Sequence, residues 1–342
     1  MPKKLAILTS GGDAPGMNAA IWSAVMTALN EGMEIWGVMD GFEGLVADRL
    51  QRLGYNDITN IQQYGGTILR TARCVEFKED AVVEKAYQHL VRRGIEGMVL
   101  IGGDGSFRGG RDLIHKGLRV VGIPGSIDND LTYTDTTIGF DSALNTILEN
   151  VQRIMDSGES HTRVNVVEIM GRNCGDLPLY AALATGAMAV LVPEDPALFD
   201  DDQLVKIIEN RKDIKARPLD LLILVSEGMH KVGEMNYTFD LARRLEARTG
   251  LETRATILGY LQRGGRPSAK DRVHATQMGY RAVQLLKEAI ETKKPCERVM
   301  GIKEDIVTDF NLEEALSKQS TLRKPDFLEI VKKLSILQSV EP

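Results

Sequence analysis

Cysteine is scarce in this chain, with three among 342 residues at positions 74, 174 and 296. That is too few and too scattered for a disulfide framework, and the spacing matches no metal-ligand pattern, so three reduced thiols are expected. Long apolar runs are missing as well. Stretches such as Leu219 to Val225 and Ala187 to Val192 are strand-length and far short of a membrane span. An excess of positive charge is absent: the net charge of −6 argues against a general nucleic-acid surface. The opening MPKKLAIL passes straight into an apolar strand pattern, so no separate signal segment is expected there. No GxGxxG follows the first strand and no GxxxxGK[ST] occurs anywhere. Both the dinucleotide fingerprint and the P-loop are thereby set aside, and a nicotinamide oxidoreductase with them. No biased tract and no usable internal repeat is present.

What remains is the composition of a soluble globular enzyme, 43% hydrophobic and 26% charged, long enough for two α/β lobes. Strand and helix signals alternate almost throughout, which predicts parallel sheets covered on both sides. Strands are expected at Leu5–Thr9, Glu34–Met39, Met98–Ile101 and Val120–Ile123, then near Val164–Glu168, Ala189–Val192, Leu221–Val225 and Glu252–Leu258. Helices are expected over Met17–Leu29, Ala81–Arg92 and Gly139–Met155. Further helices fall near Gly175–Thr185, Asp201–Glu209, Phe239–Thr249 and Ser268–Ile290. The stretch PDFLEIVKKLSIL near the end is amphipathic and predicts a packed terminal helix.

Three Gly/Asp-rich turns follow three of these strands. They are Ser10-Gly11-Gly12-Asp13, Gly102-Gly103-Asp104-Gly105-Ser106, and Pro124-Gly125-Ser126-Ile127-Asp128-Asn129-Asp130. In open α/β sheets, ligands bind beyond the carboxyl ends of the strands. Glycine admits close backbone approach by a phosphate, and a following helix N-terminus favours negative charge. Each glycine turn could equally be a tight connection, and Asp13 or Asp104 a helix cap. Asp128 and Asp130 carry more weight. A phosphoryl acceptor hydroxyl needs a base, and Mg²⁺ needs one or two carboxylates beside the phosphates. Capping of an Asx-turn is the alternative for that pair. Arg73, Arg163, Arg172, Arg254 and Arg263 lie at or beside predicted turns, where guanidinium forks suit phosphate. The layout is that of a kinase for a phosphorylated small molecule.

SGGDAPGMN, GGDGS, PGSIDND with TIGFDSA, VVEIMGR and ETRATILGYLQRGG occur in this order along the chain. Together they resemble the bacterial ATP-dependent 6-phosphofructokinases, and the resemblance covers nearly the whole chain. It implies a phosphofructokinase fold of two three-layer α/β/α Rossmann-like lobes. The expected large, nucleotide-binding lobe is 1–139 plus about 264–312, and the sugar-phosphate lobe is 140–263 plus about 313–342. It also implies a cytoplasmic, glycolytic homotetramer that moves the γ-phosphoryl of Mg-ATP to the 1-hydroxyl of fructose 6-phosphate, with no nucleic-acid or membrane partner. By this resemblance Asp128 is the base, Asp104 the Mg²⁺ ligand and Asp130 a second carboxylate at the reacting end. Ser126 and the Gly12 backbone lie near the transferring group, and Arg73 and Arg172 neutralise its charge. Arg163, Arg254 and Arg263 hold the 6-phosphate, two of the three coming from a neighbouring subunit. Met170, Gly171, Glu227 and Tyr260 contact the sugar phosphate. Phe42, Cys74, Lys78, Gly103, Gly105 and Ser106 join Gly12, Arg73 and Asp104 around the nucleotide.

Glycine at 105 and 125 resembles the ATP users of the family, whereas pyrophosphate users commonly carry aspartate and lysine there. Several positions depart from the pattern. Tyr260 stands for a histidine, Phe42 for a tyrosine, Cys74 for an aromatic, Lys78 for an arginine and Arg70 for a glycine. Trp22, Met26, Tyr55, Met155 and Met188 stand where regulated members hold a charged effector cage, so an apolar subunit interface is expected and little response to ADP or phosphoenolpyruvate. The alternatives are a pyrophosphate-dependent enzyme, a kinase of another sugar phosphate such as sedoheptulose 7-phosphate, and a non-catalytic regulatory paralogue. Against the last, Asp104, Asp128, Asp130, Arg73 and Arg172 are all in place.

Overall fold

The alternating signals fold as alternating strands and helices in the computed structural model, which describes residues 2–212, 221–231, 236–317 and 325–335. In chain order the first series is β1 (Lys4–Thr9), α1 (Met17–Asn30), β2 (Glu34–Val38), α2 (Gly41–Val46), β3 (Leu50–Leu53), α3 (Asp80–Arg93), β4 (Gly97–Gly102), α4 (Asp104–His115) and β5 (Arg119–Pro124). The second is α5 (Phe140–Glu159), β6 (Val164–Ile169), α6 (Asp176–Thr185), β7 (Ala189–Leu191), α7 (Asp201–Lys212), β8 (Leu222–Ser226), α8 (Tyr237–Thr249) and β9 (Thr253–Ile257). The chain closes with α9 (Ala269–Glu291), β10 (Glu297–Lys303), β11 (Ile306–Asn311), α10 (Leu312–Ser317) and α11 (Pro325–Ser335). The terminal amphipathic stretch is helical as α11, while its last residues, Ile336 and Leu337, lie outside the described residues, as does Leu219 of the β8 apolar run.

Two compact units result. The first holds Met1–Ile127, Leu131–Ser142 and Arg263–Gln319, and the second holds Asp128–Asp130, Ala143–Gln262 and Ser320–Pro342. The expected division passed near Phe140, Gly264 and 312; the observed one follows Ser142, Gln262 and Gln319. Helix α10 packs on α4 and β10 of the first unit, and Asp128–Asp130 group with the second.

The first unit is a seven-stranded sheet in the order β11-β10-β5-β4-β1-β2-β3, parallel except for β3 and β11, which pair antiparallel at its two edges. Neither edge strand has a clear sequence signal, because LQRL is short and the apolar residues of IVTDFN do not alternate and are nowhere fully buried; an antiparallel edge on a parallel sheet is common. Parallel strands covered on both faces read as continuous apolar runs, and β1 and β4 do so. Ala6, Leu8, Met98, Leu100 and Val120 belong to a core with Phe42, Leu90 and Phe107 of α2, α3 and α4. On other positions of the same strands, Ile101 lies with Met17 of α1 around Gly125, and Leu5 lies with Leu286 of α9 around Gly97. The second unit is an all-parallel sheet, β7-β8-β6-β9, whose β6 and β8 are buried throughout.

Register sets where the glycine turns leave the sheet. Thr9 pairs with Ile101, and Ile101 and Gly102 pair with Ile123 and Pro124. The carboxyl ends of β1, β4 and β5 therefore stop level, and the three glycine turns leave the sheet side by side.

Candidate active site

In the first unit the three turns are bonded to one another. The Ser10 N–H donates to the Ile101 carbonyl at 3.0 Å, and the Gly125 N–H donates to that of Gly102 at 3.0 Å. At Gly102 a Cβ would overlap the Ser106 hydroxyl and the Ser10 carbonyl, so the turns touch only because that position lacks a side chain. Gly103 caps α4, with the Ser126 Cβ 4.0 Å from where its own Cβ would be. Ser106 is buried in the first turn of α4. Beside Gly105 the space is open, whereas a side chain at Gly125 would meet Met17 at 3.0 Å and Ile101 at 3.1 Å.

The arginine-bearing segment 70–73 is tied to the first turn. Thr9 Oγ1 donates to the Arg70 carbonyl at 2.8 Å, and Thr71 Oγ1 donates to the Gly11 carbonyl at 2.9 Å. Arg73 is exposed in this tethered segment, as is Lys78 in the short helical turn after it. Arg70, which stands for a glycine, is engaged by Asp40, its Nε 2.9 Å from Oδ1. Phe42 is buried, with its ring 4.2 Å from that of Phe77, and half-buried Cys74 packs against the same core, where burial pushes its thiol up. Arg263 comes from 250 residues away: its Nη1 donates to the Asp13 carbonyl at 3.1 Å, and its guanidinium lies where a Gly12 side chain would stand.

In the second unit Asp128 and Asn129 are buried and Asp130 is partly exposed. Asn129 adopts φ +52°, a left-handed conformation Asn tolerates, and its Nδ2 donates to Asp176 Oδ2 at 2.8 Å. The turn is thereby pinned to the start of α6 between its two aspartates. The Glu227 carboxylate accepts the backbone N–H groups of Gly171 at 3.4 Å and Arg172 at 2.5 Å. The Met170 N–H donates to buried Gln262. Met170, Gly171, Arg172 and Glu227 thus form one cluster, in which Arg172 takes φ +57° and its side chain stays exposed. Arg163 and Arg254 form another, lining a cavity of about 410 Å³. Tyr260 lies at the surface, 83% exposed.

A family model described as Phosphofructokinase matches residues 4–286. The chain belongs to the phosphofructokinase family. It is 50% identical over 315 residues to an ATP-dependent 6-phosphofructokinase 1 of Clostridium perfringens, covering 92% of this chain and 94% of that one. It is 47% identical over 334 residues to an ATP-dependent 6-phosphofructokinase of Clostridium tetani, covering 97% and 99%. Among solved structures it is similar to the phosphofructokinase of Saccharomyces cerevisiae, with TM-score 0.82, 36% identity and 92% of this chain covered. A Pichia pastoris phosphofructokinase in the T-state matches with TM-score 0.85, 35% identity and 98% covered. The chain spans less than half of either yeast chain, 45% and 37%. A pyrophosphate-dependent phosphofructokinase of Marinobacter aquaeolei shares the fold, with TM-score 0.77 at 19% identity over 99% of this chain and 93% of that one.

The family resemblance implies a magnesium ion beside the nucleotide. Among the described residues no cluster of three or more His, Cys, Asp or Glu could hold a metal by itself. Magnesium held beside nucleotide phosphates would keep several waters and need only one or two carboxylates. Asp104 fits that role: its side chain is 40% exposed in the first turn of α4, beside the glycine turn. It is paired with Arg108, whose Nε lies 2.9 Å from Oδ2, so binding a cation means sharing or releasing that pair. Arg108, Asp176 and Thr71 were not singled out from the sequence. The i,i+4 spacing of Asp104 and Arg108 is a legible signal. The Asn129–Asp176 link, spanning 47 residues, has none.

Proposed function

We propose that this chain is an ATP-dependent 6-phosphofructokinase, transferring the γ-phosphoryl of Mg-ATP to the 1-hydroxyl of fructose 6-phosphate in glycolysis. The observation that carries this is the near full-length likeness to ATP-dependent 6-phosphofructokinases at 47–50% identity. Retention of Asp104, Asp128, Asp130, Arg73 and Arg172 supports it. Asp128 is the base that takes the 1-hydroxyl proton, and its burial suits a carboxylate shielded from bulk water. Asp130 supports the reacting end as a second carboxylate. Arg73 and Arg172 offset charge on the transferring group, and the Gly12 N–H and Ser126 hydroxyl orient it. Asp104 would hold magnesium, which when bound neutralises donor phosphate charge. Arg163, Arg254 and Arg263 take the 6-phosphate, and Met170, Gly171, Glu227 and Tyr260 the sugar phosphate. Gly103, Gly105 and Ser106 line the nucleotide side, with Lys78 and Cys74 at its edge and Phe42 behind them.

Donor choice follows from two glycines. The open space at Gly105 suits a nucleotide, and a side chain at Gly125 would press on Met17 and Ile101, which disfavours the lysine of pyrophosphate users. We place the enzyme in the cytoplasm as a homotetramer. It lacks the usual effector response, since Met188 is fully buried and Trp22, Met26 and Tyr55 offer an anion no charge. Fructose 1,6-bisphosphate formation with ATP and with pyrophosphate, each with and without ADP or phosphoenolpyruvate, tests the whole reading. Turnover with ATP and an unshifted substrate midpoint are expected. Turnover mainly with pyrophosphate would overturn the donor. Silence with fructose 6-phosphate but turnover with sedoheptulose 7-phosphate would overturn the acceptor.

A further inference from the structure

The motif ETRATILG contains a carboxylate to which the reading above gives no task. Glu252 stands immediately before β9, and Arg163 immediately before β6. These strands are parallel neighbours in register Val164↔Thr253 and Asn165↔Arg254. The Val164 N–H donates to the Glu252 carbonyl at 2.9 Å, which locks that register at its amino end. Each oxygen of the Glu252 carboxylate accepts a different guanidinium. Arg163 Nε donates to Oε2 at 2.6 Å, and Arg254 Nη2 donates to Oε1. Of these three side chains only the two arginines line the cavity of about 410 Å³, together with Arg153, Asn150 and Asn165.

Two guanidinium groups brought to one cavity repel each other and spread into solvent unless something holds them. An arginine has five N–H donors, and each of these spends one on Glu252, so most remain for an anion. The hydrogen bond from Arg163, with the charges of both arginines, holds the Glu252 carboxyl below its usual range, so the clamp is ionised at neutral pH. We propose that Glu252 is a positioning residue that preorganises Arg163 and Arg254 as a two-pronged receptor for the phosphate end of the sugar phosphate. This rests on the assignment of those arginines to the 6-phosphate. Glu252 touches no reacting atom, so its effect falls on acceptor binding and not on the phosphoryl-transfer step.

The test is steady-state kinetics of the full chain carrying Glu252→Gln, Glu252→Asp, Arg163→Ala, Arg254→Ala or the Glu252→Gln/Arg254→Ala pair. Glu252→Gln is expected to raise the KM for fructose 6-phosphate about ten-fold through lost preorganisation. Its kcat and its KM for ATP should stay within about two-fold, since neither depends on uniform binding of the acceptor. Glu252→Asp, which keeps the charge on a shorter arm, should recover part of the loss. In the Arg254→Ala background Glu252→Gln should add less than it does alone, because only its hold on Arg163 remains to be lost. An unchanged or lowered KM in Glu252→Gln, with the arginine variants still impaired, overturns the role of Glu252 and leaves the 6-phosphate assignment standing. A comparable fall in kcat, or a matching rise in the KM for ATP, also overturns it, since a general structural role would do that. Arginine variants with unchanged KM would overturn the 6-phosphate assignment and the proposal together.

Discussion

Asp271 is 2% exposed in the first turn of α9, where its Oδ2 accepts the Ser142 N–H at 2.8 Å and the Ser142 hydroxyl at 2.5 Å. Burial pushes its carboxyl up to about 6 from an ordinary 3.8, the hydrogen bonds offsetting only part of that. The folded state therefore binds this proton more tightly than the unfolded chain. The contribution is fully present below the unfolded value and is lost as pH rises through the folded one. At 1.36 kcal/mol per pKa unit it is on the order of 3 kcal/mol between about pH 4 and pH 6. Asparagine does not titrate. The stability difference between the natural chain and Asp271→Asn, from denaturant midpoints, should favour the natural chain more at about pH 4.5 than at pH 7. An unchanged difference would mean that Asp271 titrates as an ordinary carboxyl. The sequence shows Asp271 only as an acid three residues after Ser268, a helix-start signal. That it meets Ser142, 129 residues away, is a fact of folding.

At the scale of elements, α4 carries the second glycine turn and rests on the sheet through Phe107. That side chain is 1% exposed and packs against Gly122 of β5, where any Cβ would overlap its ring. Phe107→Ala would leave a ring-sized cavity under the helix and should cost about 3–5 kcal/mol. Because α4 presents Asp104 and Ser106, some of that loss should appear in nucleotide binding. Thermal unfolding and the KM for ATP, measured on one preparation, check both. Unchanged stability would show that Phe107 does not anchor the helix. Most helices and strands were legible because their apolar periods are set by contact with one sheet face or with two. Strand β10 and the edge strands β3 and β11 were not. An edge strand needs only partial burial, so its composition carries little pattern.

At the scale of the whole molecule, the family resemblance implies that two of Arg163, Arg254 and Arg263 serve a neighbouring subunit's site. If each active site combines Asp128 of one subunit with Arg254 of the next, Asp128→Asn and Arg254→Ala homo-oligomers should both be impaired. Asp128→Asn should lose about 10²–10⁴ in rate, the usual worth of a general base. Mixing the two after dissociation and reassembly should restore a measurable fraction of activity, since some sites then receive both intact residues. No recovery in verified mixed oligomers would place the arginines in their own subunit's site.

The sequence by itself determined the fold class, the strand ends that carry the chemistry and the side chains that stand there. Glycine, aspartate and arginine at a strand-to-helix turn follow from local backbone and charge requirements that neighbours in the chain largely set. The tertiary structure decided the pairings. Arg263 meets the Asp13 carbonyl, Asn129 meets Asp176, and Glu252 collects Arg163 as well as its neighbour Arg254. A hydrogen bond between distant residues depends on sheet order and register, and those emerge only when the whole apolar surface of the chain is buried at once.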